Sequence, residues 1–523
     1  MLKHLTNADE TADASRRLHE LIEAHGEWLF SAPGEGVAFT ALRRSEIDLC
    51  VAQGRLIFSC WTEKGVRSWR VRAWEWTGAK LLLEATRRAG AERALIELVP
   101  RASTSATNAL ISATRRKRAE QLARLACACA AGASVDRVAL STGARRGQPG
   151  RYARIRLRLG GASLAVSGVV TSGEAYDVDA FLSSTLIWFT RAGERTLSPS
   201  LRKLWLIADR PSVKALAERL ALLRETLRRS ISLFEIDAAW SELEPAHMPE
   251  LTELWAERRE RFRRPAQGEP GEWAARIVAL APDAIDVVRA RHGETLRYHG
   301  LPFARVRRVM RTERVWFGVA GAPKRRLLDE CTAPDWAHLL QQLSEHRRAD
   351  VAERRHALYK AAPEAWLESM LRRDITRLDP GLRLAPLYAQ FRASHEESTR
   401  AAATTARPVD LLALRRDGRL VVIELKVSED REHVLQGADY WRRVEAHRRS
   451  GNLARARLFG DAMIADQSPL VYLVAPTLSF HRALATLARA IDPRIEIYRF
   501  DLNEDWRAGV RVMRRVTLTN NWQ

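Results

Sequence analysis

A chain of 523 residues is too long for a single hydrophobic core, so several domains are expected. A net charge of +21 and a pI near 10.5, carried almost wholly by arginine, favour a polyanionic partner. No stretch approaches the roughly 20 apolar residues of a membrane span, and the N-terminus lacks the apolar core of a signal peptide. Five cysteines (Cys50, Cys60, Cys127, Cys129 and Cys331) exclude a disulfide scaffold and suit a reducing, cytoplasmic setting.

Taken in order, the chain reads as four segments: residues 1–105, 106–240, 241–350 and 351–523. The first opens with a helix from Ser15 to Ala24 and turns strand-rich at Leu56–Phe58, Trp69–Trp74 and Ala94–Val99, where β-branched and aromatic residues alternate with polar ones. The second begins with a helix over 107–131. There Cys127 and Cys129 sit one residue apart, a poor metal-site spacing that reads as small apolar filling. Two strands around Gly160-Gly161 follow, then a helix ending near Trp188, a strand at Leu204–Ala208, a helix from Val213 to Arg229 and a strand from Ser232 to Asp237. The third places strands at Ala284–Ala290, Phe303–Val309 and Val315–Val319 between helices.

The chain also echoes itself at an offset of about 240 to 265 residues. Gly26-Glu27-Trp28 recurs as Gly271-Glu272-Trp273, Ile47-Asp48 as Ile285-Asp286, and Arg70-Val71-Arg72 as Arg305-Val306-Arg307. Leu82–Thr86 is echoed by Leu328–Thr332, and the strand Leu204–Ala208 by Val471–Ala475. A tandem duplication is expected, with the halves packed as a pseudo-two-fold pair within one chain or as a homodimer. The copies differ in one respect. Ser167 stands where the second copy has Glu424, Val169 where it has Lys426, Ser183 where it has Gln436, and the Ala153-Arg154 segment where it has Asp410.

Those four residues of the second copy carry the chemistry. Along Leu420–Val427 the side chains alternate, so Glu424 and Lys426 share one face with Val422. A three-residue loop, Arg416-Asp417-Gly418, would set Asp410 directly opposite Glu424. Two neighbouring carboxylates are unfavourable unless a cation lies between them, and magnesium or manganese takes such oxygen ligands. Lys426 is the lysine in a chain with only nine, which marks it as chemically required. Gln436 and Tyr440, four apart on the next helix, can point back at the strands. A further carboxylate is expected from a helix over Pro363–Leu378, with Glu368 at the margin of its buried face and Glu364 as the competing choice.

The set Pro408-Val409-Asp410, Glu424-x-Lys426 and Gln436-x-x-x-Tyr440 resembles the PD-(D/E)xK nuclease superfamily, in its RecB-type variant. The resemblance covers residues 355 to 505 and lacks the four cysteines of an iron–sulfur cluster. It implies an α/β (α+β) restriction-endonuclease-like core, a mixed sheet flanked by helices, present twice with the first copy degenerate and each preceded by a strand-rich subdomain. It further implies magnesium- or manganese-dependent hydrolysis of DNA by Asp410, Glu424, Lys426, Gln436 and Tyr440, with Asp410, Glu424 and Glu368 as metal ligands. The competing expectation is a non-catalytic nucleic-acid-binding or scaffold protein.

Overall fold

The computed structural model describes residues 2–32, 40–62, 65–87, 92–142, 149–171, 176–194, 201–256, 269–290, 293–309, 312–319, 326–391 and 409–519. They form a mixed α+β protein with four sheets. The chain divides into two compact units, one of residues 1–174, 196–209 and 234–245, the other of 175–195, 210–233 and 246–523.

In the first unit the helix Ala8–Glu23 starts two turns earlier than the apolar spacing predicts. Asn7 provides the reason: its side chain accepts the Glu10 N–H at 2.8 Å and caps the helix. The helix covers an antiparallel sheet whose core holds Trp28, Phe30, Phe58 and Trp69. A second helix, Thr104–Cys129, is capped by Ser103 and lays Ala119, Leu122, Ala123 and Ala126 against the next sheet. Cys127 is half-buried beside that cluster, whereas Cys129 is exposed and fills nothing.

Two six-stranded sheets share one strand order. In the first, Ala133–Thr142, Pro149–Leu159 and Ala162–Val169 are successive antiparallel neighbours, and Leu201–Asp209 joins parallel to the third. In the second, Tyr388–Phe391, Val409–Leu414 and Leu420–Leu425 are antiparallel, and Leu470–Pro476 joins parallel. Each sheet continues through one more strand, Ile231–Ile236 or Ile497–Leu502, to an antiparallel edge, Leu243–Pro245 or Val512–Thr517.

The shorter echoes fare unevenly. Ile47-Asp48 and Ile285-Asp286 both open the first strand of an antiparallel meander, and Arg70–Arg72 and Arg305–Arg307 both lie in its third strand. Gly26-Glu27-Trp28, however, starts a strand, while Gly271-Glu272-Trp273 starts the helix Glu272–Ala279. Leu82–Thr86 lies inside a strand, while Leu328–Thr332 follows the short strand Arg326–Leu327. Three identical residues do not fix a backbone when their long-range partners differ.

The expected helix Val213–Arg229 is two helices, Arg210–Leu220 and Glu225–Arg228. Between them the chain extends to pair with residues 490–492: Arg224 N–H donates to Ala490 O at 2.9 Å, and Asp492 N–H to Leu222 O at 2.9 Å. Similarly, the helix expected over 363–378 stops at Arg373, because the Asp374 side chain accepts the Thr376 N–H and starts a 3-10 turn.

A five-stranded meander (285–327) precedes the second six-stranded sheet, and a buried arginine fixes the connection between them. Arg347 donates to the carbonyls of Tyr298, His299, Leu358 and Ala361 at 2.7–2.9 Å and stacks over Trp366. Burial without a carboxylate pushes its guanidinium down to about 9. Arg347→Met would strand four carbonyls, each at a cost of about 1 kcal/mol or more. A loss of roughly 3–5 kcal/mol in urea unfolding is expected.

Candidate functional site

The strand pair Val409–Leu414 and Leu420–Leu425 is in register Leu411↔Ile423 through Leu414↔Leu420. Arg415 N–H donates to Arg419 O at 2.8 Å, which leaves Arg416-Asp417-Gly418 as the loop. Gly418 has φ +84°, and a Cβ there would lie 2.7 Å from the Met463 carbonyl, so glycine is required twice over. Continued one step, this register sets Asp410 opposite Glu424, as the three-residue loop predicts. Both faces of the strand are covered. Val421, Ile423 and Leu425 pack with Trp366, Leu367 and Leu371, while Val422 packs with Tyr440 and Val444. Pro408 lies outside the described residues.

The charges that converge here are almost dry. Glu424 is 1% exposed; its Oε1 accepts from Lys426 Nζ at 2.7 Å, and its Oε2 is buried with no hydrogen-bond partner among the described residues. Burial, and then the neighbouring Asp410, raise the Glu424 carboxyl well above its ordinary range, and Lys426 offsets this only in part. Asp410 Oδ2 accepts the Leu425 N–H at 2.9 Å, yet burial pushes its carboxyl up to about 6. Desolvation works against the Lys426 ammonium, but Glu424, Glu364 and Asp410 together hold it above its usual value.

The helix His433–Arg449 follows, and a close approach seats it. A Cβ on Gly437 would come within 2.8 Å of Leu473 and 2.9 Å of Val471, both on the Leu470–Pro476 strand. Gly437→Val should therefore cost roughly 1–3 kcal/mol of stability through overpacking, read by urea melts. Gln436 and Tyr440 both turn inward, as their spacing predicts. Gln436 is 2% exposed, donates to Glu432 at 3.3 Å and leaves its Oε1 buried with no hydrogen-bond partner among the described residues. Burial raises the Tyr440 hydroxyl pKa, and Glu424 and Asp410 add to the effect, which places the phenol beside the carboxylates.

Two members of the site have no counterpart in the sequence reading. His433 contacts the Glu424 carbonyl through Nε2 at 3.1 Å and stacks on Phe480; burial pushes its imidazole down to about 3, so it is neutral and donates that bond. Asp439, next to Tyr440, is 1% exposed and takes ion pairs from Arg219, Arg442 and Arg443. Arg219 also holds Asp179, and Arg442 holds Glu218. Burial disfavours the Asp439 anion, but its three guanidinium partners hold it ionised. The aspartate has Arg442 and Arg443 within one helical turn, but its third partner, Arg219, is over two hundred residues away in sequence.

The helix Pro363–Arg373 brings the remaining carboxylates. Glu368 is buried, as expected, but its Oε1 accepts from Arg297 at 3.1 Å. Glu364, one turn earlier, is half-buried and makes no hydrogen bond or ion pair among the described residues. No three His, Cys, Asp or Glu side chains among the described residues form a ready-made metal cluster. Asp410 and Glu424 are the facing pair. A separate cavity of about 710 Å³, lined by Arg224, Arg228, Arg489 and Arg494 with Glu250 and Asp492, lies where residues 489–494 lead into the strand Ile497–Leu502. The carboxylate pair lies instead at the exit of the parallel strands, so the cavity is not part of this site.

Comparison with family models, curated proteins and solved structures found no match to this chain. Among the described residues no helix is long and apolar enough to cross a membrane.

Proposed function

We propose that the chain is a metal-dependent nuclease that hydrolyses DNA phosphodiester bonds, with a restriction-endonuclease-like core at residues 351–523. The observation that carries this reading is the pair of half-buried Asp410 and fully buried Glu424. Two carboxylates stand opposite each other, each raised by the other or by burial, and Glu424 Oε2 is orphaned. A divalent cation would satisfy that oxygen and both charges, so the residues present fit magnesium or manganese, held by Asp410 and Glu424. The ion, when bound, acidifies water and polarises a phosphate. Lys426 places a fixed ammonium beside the carboxylates, where it would offset charge developing on a phosphate. Gln436 offers a carbonyl oxygen, without a partner among the described residues, suited to hold a water proton, and Tyr440 offers a phenol that stays protonated and can donate. The arginine-rich surface would hold the nucleic-acid backbone and make binding strongly salt-dependent.

The shared strand order of the two six-stranded sheets favours a tandem duplication with an empty first copy. Arg154 lies opposite Ser167 in the first sheet, the place that Asp410 and Glu424 take in the second. Ser167 Oγ donates to the Ala153 carbonyl at 2.9 Å, which is a packing role.

Incubating the purified protein with linear, circular and single-stranded DNA, with magnesium, manganese or EDTA, tests the reading. Cleavage with either metal and none in EDTA is expected. Binding without cleavage under every metal would favour the scaffold alternative.

A further inference from the structure

Arg297 lies on the strand Gly293–Tyr298 of the five-stranded meander, and it is buried. Its Nε and Nη2 donate to the two oxygens of Asp286 at 3.0 and 3.1 Å, a fork-to-fork pair, and Nη2 also reaches Glu368 Oε1 at 3.1 Å. Arg372, one turn beyond Glu368 on the same helix, donates to Asp286 Oδ2 at 2.9 Å. The cluster is therefore two carboxylates and two guanidiniums, balanced without any further cation. The neighbouring set of Asp410, Glu424 and Lys426 keeps one negative charge in excess. The meander of the first unit supplies a comparison. Asp48 there faces Ser59 across its strands, in the register where Asp286 faces Arg297. The arginine stands in the half that has Glu424, and a serine in the half that has Ser167.

We infer that Arg297 is a positioning residue of the hydrolytic site: it holds Glu368 as its own counter-ion, so that Glu368, although near enough to act on Asp410, does not ligate the metal. The inference rests on the nuclease reading above. It also assigns the five-stranded meander a part in the site, since the residue that fixes the Glu368 helix comes from its second strand. Arginine suits the task because its planar fork grips Asp286 with one edge while leaving an N–H for Glu368.

Titration of Mn2+ into the full-length protein, by calorimetry and electron paramagnetic resonance, tests this without relying on activity. Glu424→Gln is expected to weaken Mn2+ binding at least tenfold, and Glu368→Gln to leave it within about threefold. Arg297→Met, which releases the Glu368 charge, is expected to bind Mn2+ about tenfold more tightly. The double variant Arg297→Met with Glu368→Gln should return to near the wild-type affinity. Tighter binding is a readout that mere structural damage would not give, and Arg297→Lys should stay close to wild type. Loss of the ion in Glu368→Gln to the extent seen in Glu424→Gln would overturn the inference, whether or not Arg297→Met folds. So would unchanged or weaker binding in folded Arg297→Met. Glu424→Gln that titrates like wild type would instead overturn the nuclease reading itself, and with it the inference.

Discussion

Lys426→Ala is expected to lower metal-dependent DNA cleavage by about a hundred- to a thousandfold, while the protein remains folded and still binds DNA. The expectation follows from the placement of Nζ. It lies 2.7 Å from Glu424 Oε1, is largely shielded from water, and is held protonated by Glu424, Glu364 and Asp410. A fixed charge in so dry a place acts with little screening on whatever phosphate is brought to the carboxylates. Lys426→Arg should not restore the rate, because a planar fork cannot occupy the space of a compact ammonium. A rate within fivefold of wild type in Lys426→Ala, measured on a labelled duplex, would remove Lys426 from the chemistry.

The second large effect concerns stability. Asp410 is pushed up to about 6 in the folded protein, against roughly 4 in an unfolded chain. A carboxyl raised on folding stabilises the fold fully below its unfolded pKa, and that contribution is lost as pH rises through the folded value. The metal-free protein should therefore lose stability between about pH 4 and pH 7, by up to about 3 kcal/mol from this group. Asp410→Asn removes the titration. In EDTA at pH 7.5 it is expected to melt several degrees higher than wild type, while cleavage is abolished. At pH 4.5 the two proteins should melt within a degree or two of each other. Equal melting temperatures at both pH values would mean that Asp410 is not strained by burial.

What the sequence disclosed was what short-range geometry controls. The opposition of Asp410 and Glu424 depends on a three-residue loop and on Gly418 in the left-handed region, both within ten residues of the pair. The inward turn of Gln436 and Tyr440 depends on helical spacing alone. The Gly437 contact with Val471 and Leu473 explains why a glycine interrupts that helix, but the partner strand had to be in place to show it. Three further features rest on contacts distant along the chain. Arg297 reaches Glu368 across 71 positions, and Arg442 reaches Glu218 across 224. The break between Leu220 and Glu225 is made by pairing with residues 490–492, without a proline or glycine to announce it. The echo at Gly26-Glu27-Trp28 fails for the same reason, since its strand is set by pairing with Thr40–Arg43 and Glu92–Pro100.

Asp410 and Glu424 are proposed to hold a divalent cation that would support hydrolysis of DNA. The most direct test is cleavage of linear duplex DNA by wild-type and Glu424→Gln protein, side by side, in Mn2+ and in EDTA. Cleavage by wild type in Mn2+ alone is expected, and at least a hundredfold less by Glu424→Gln. Cleavage of equal rate by both proteins, or by wild type in EDTA, would contradict the proposal.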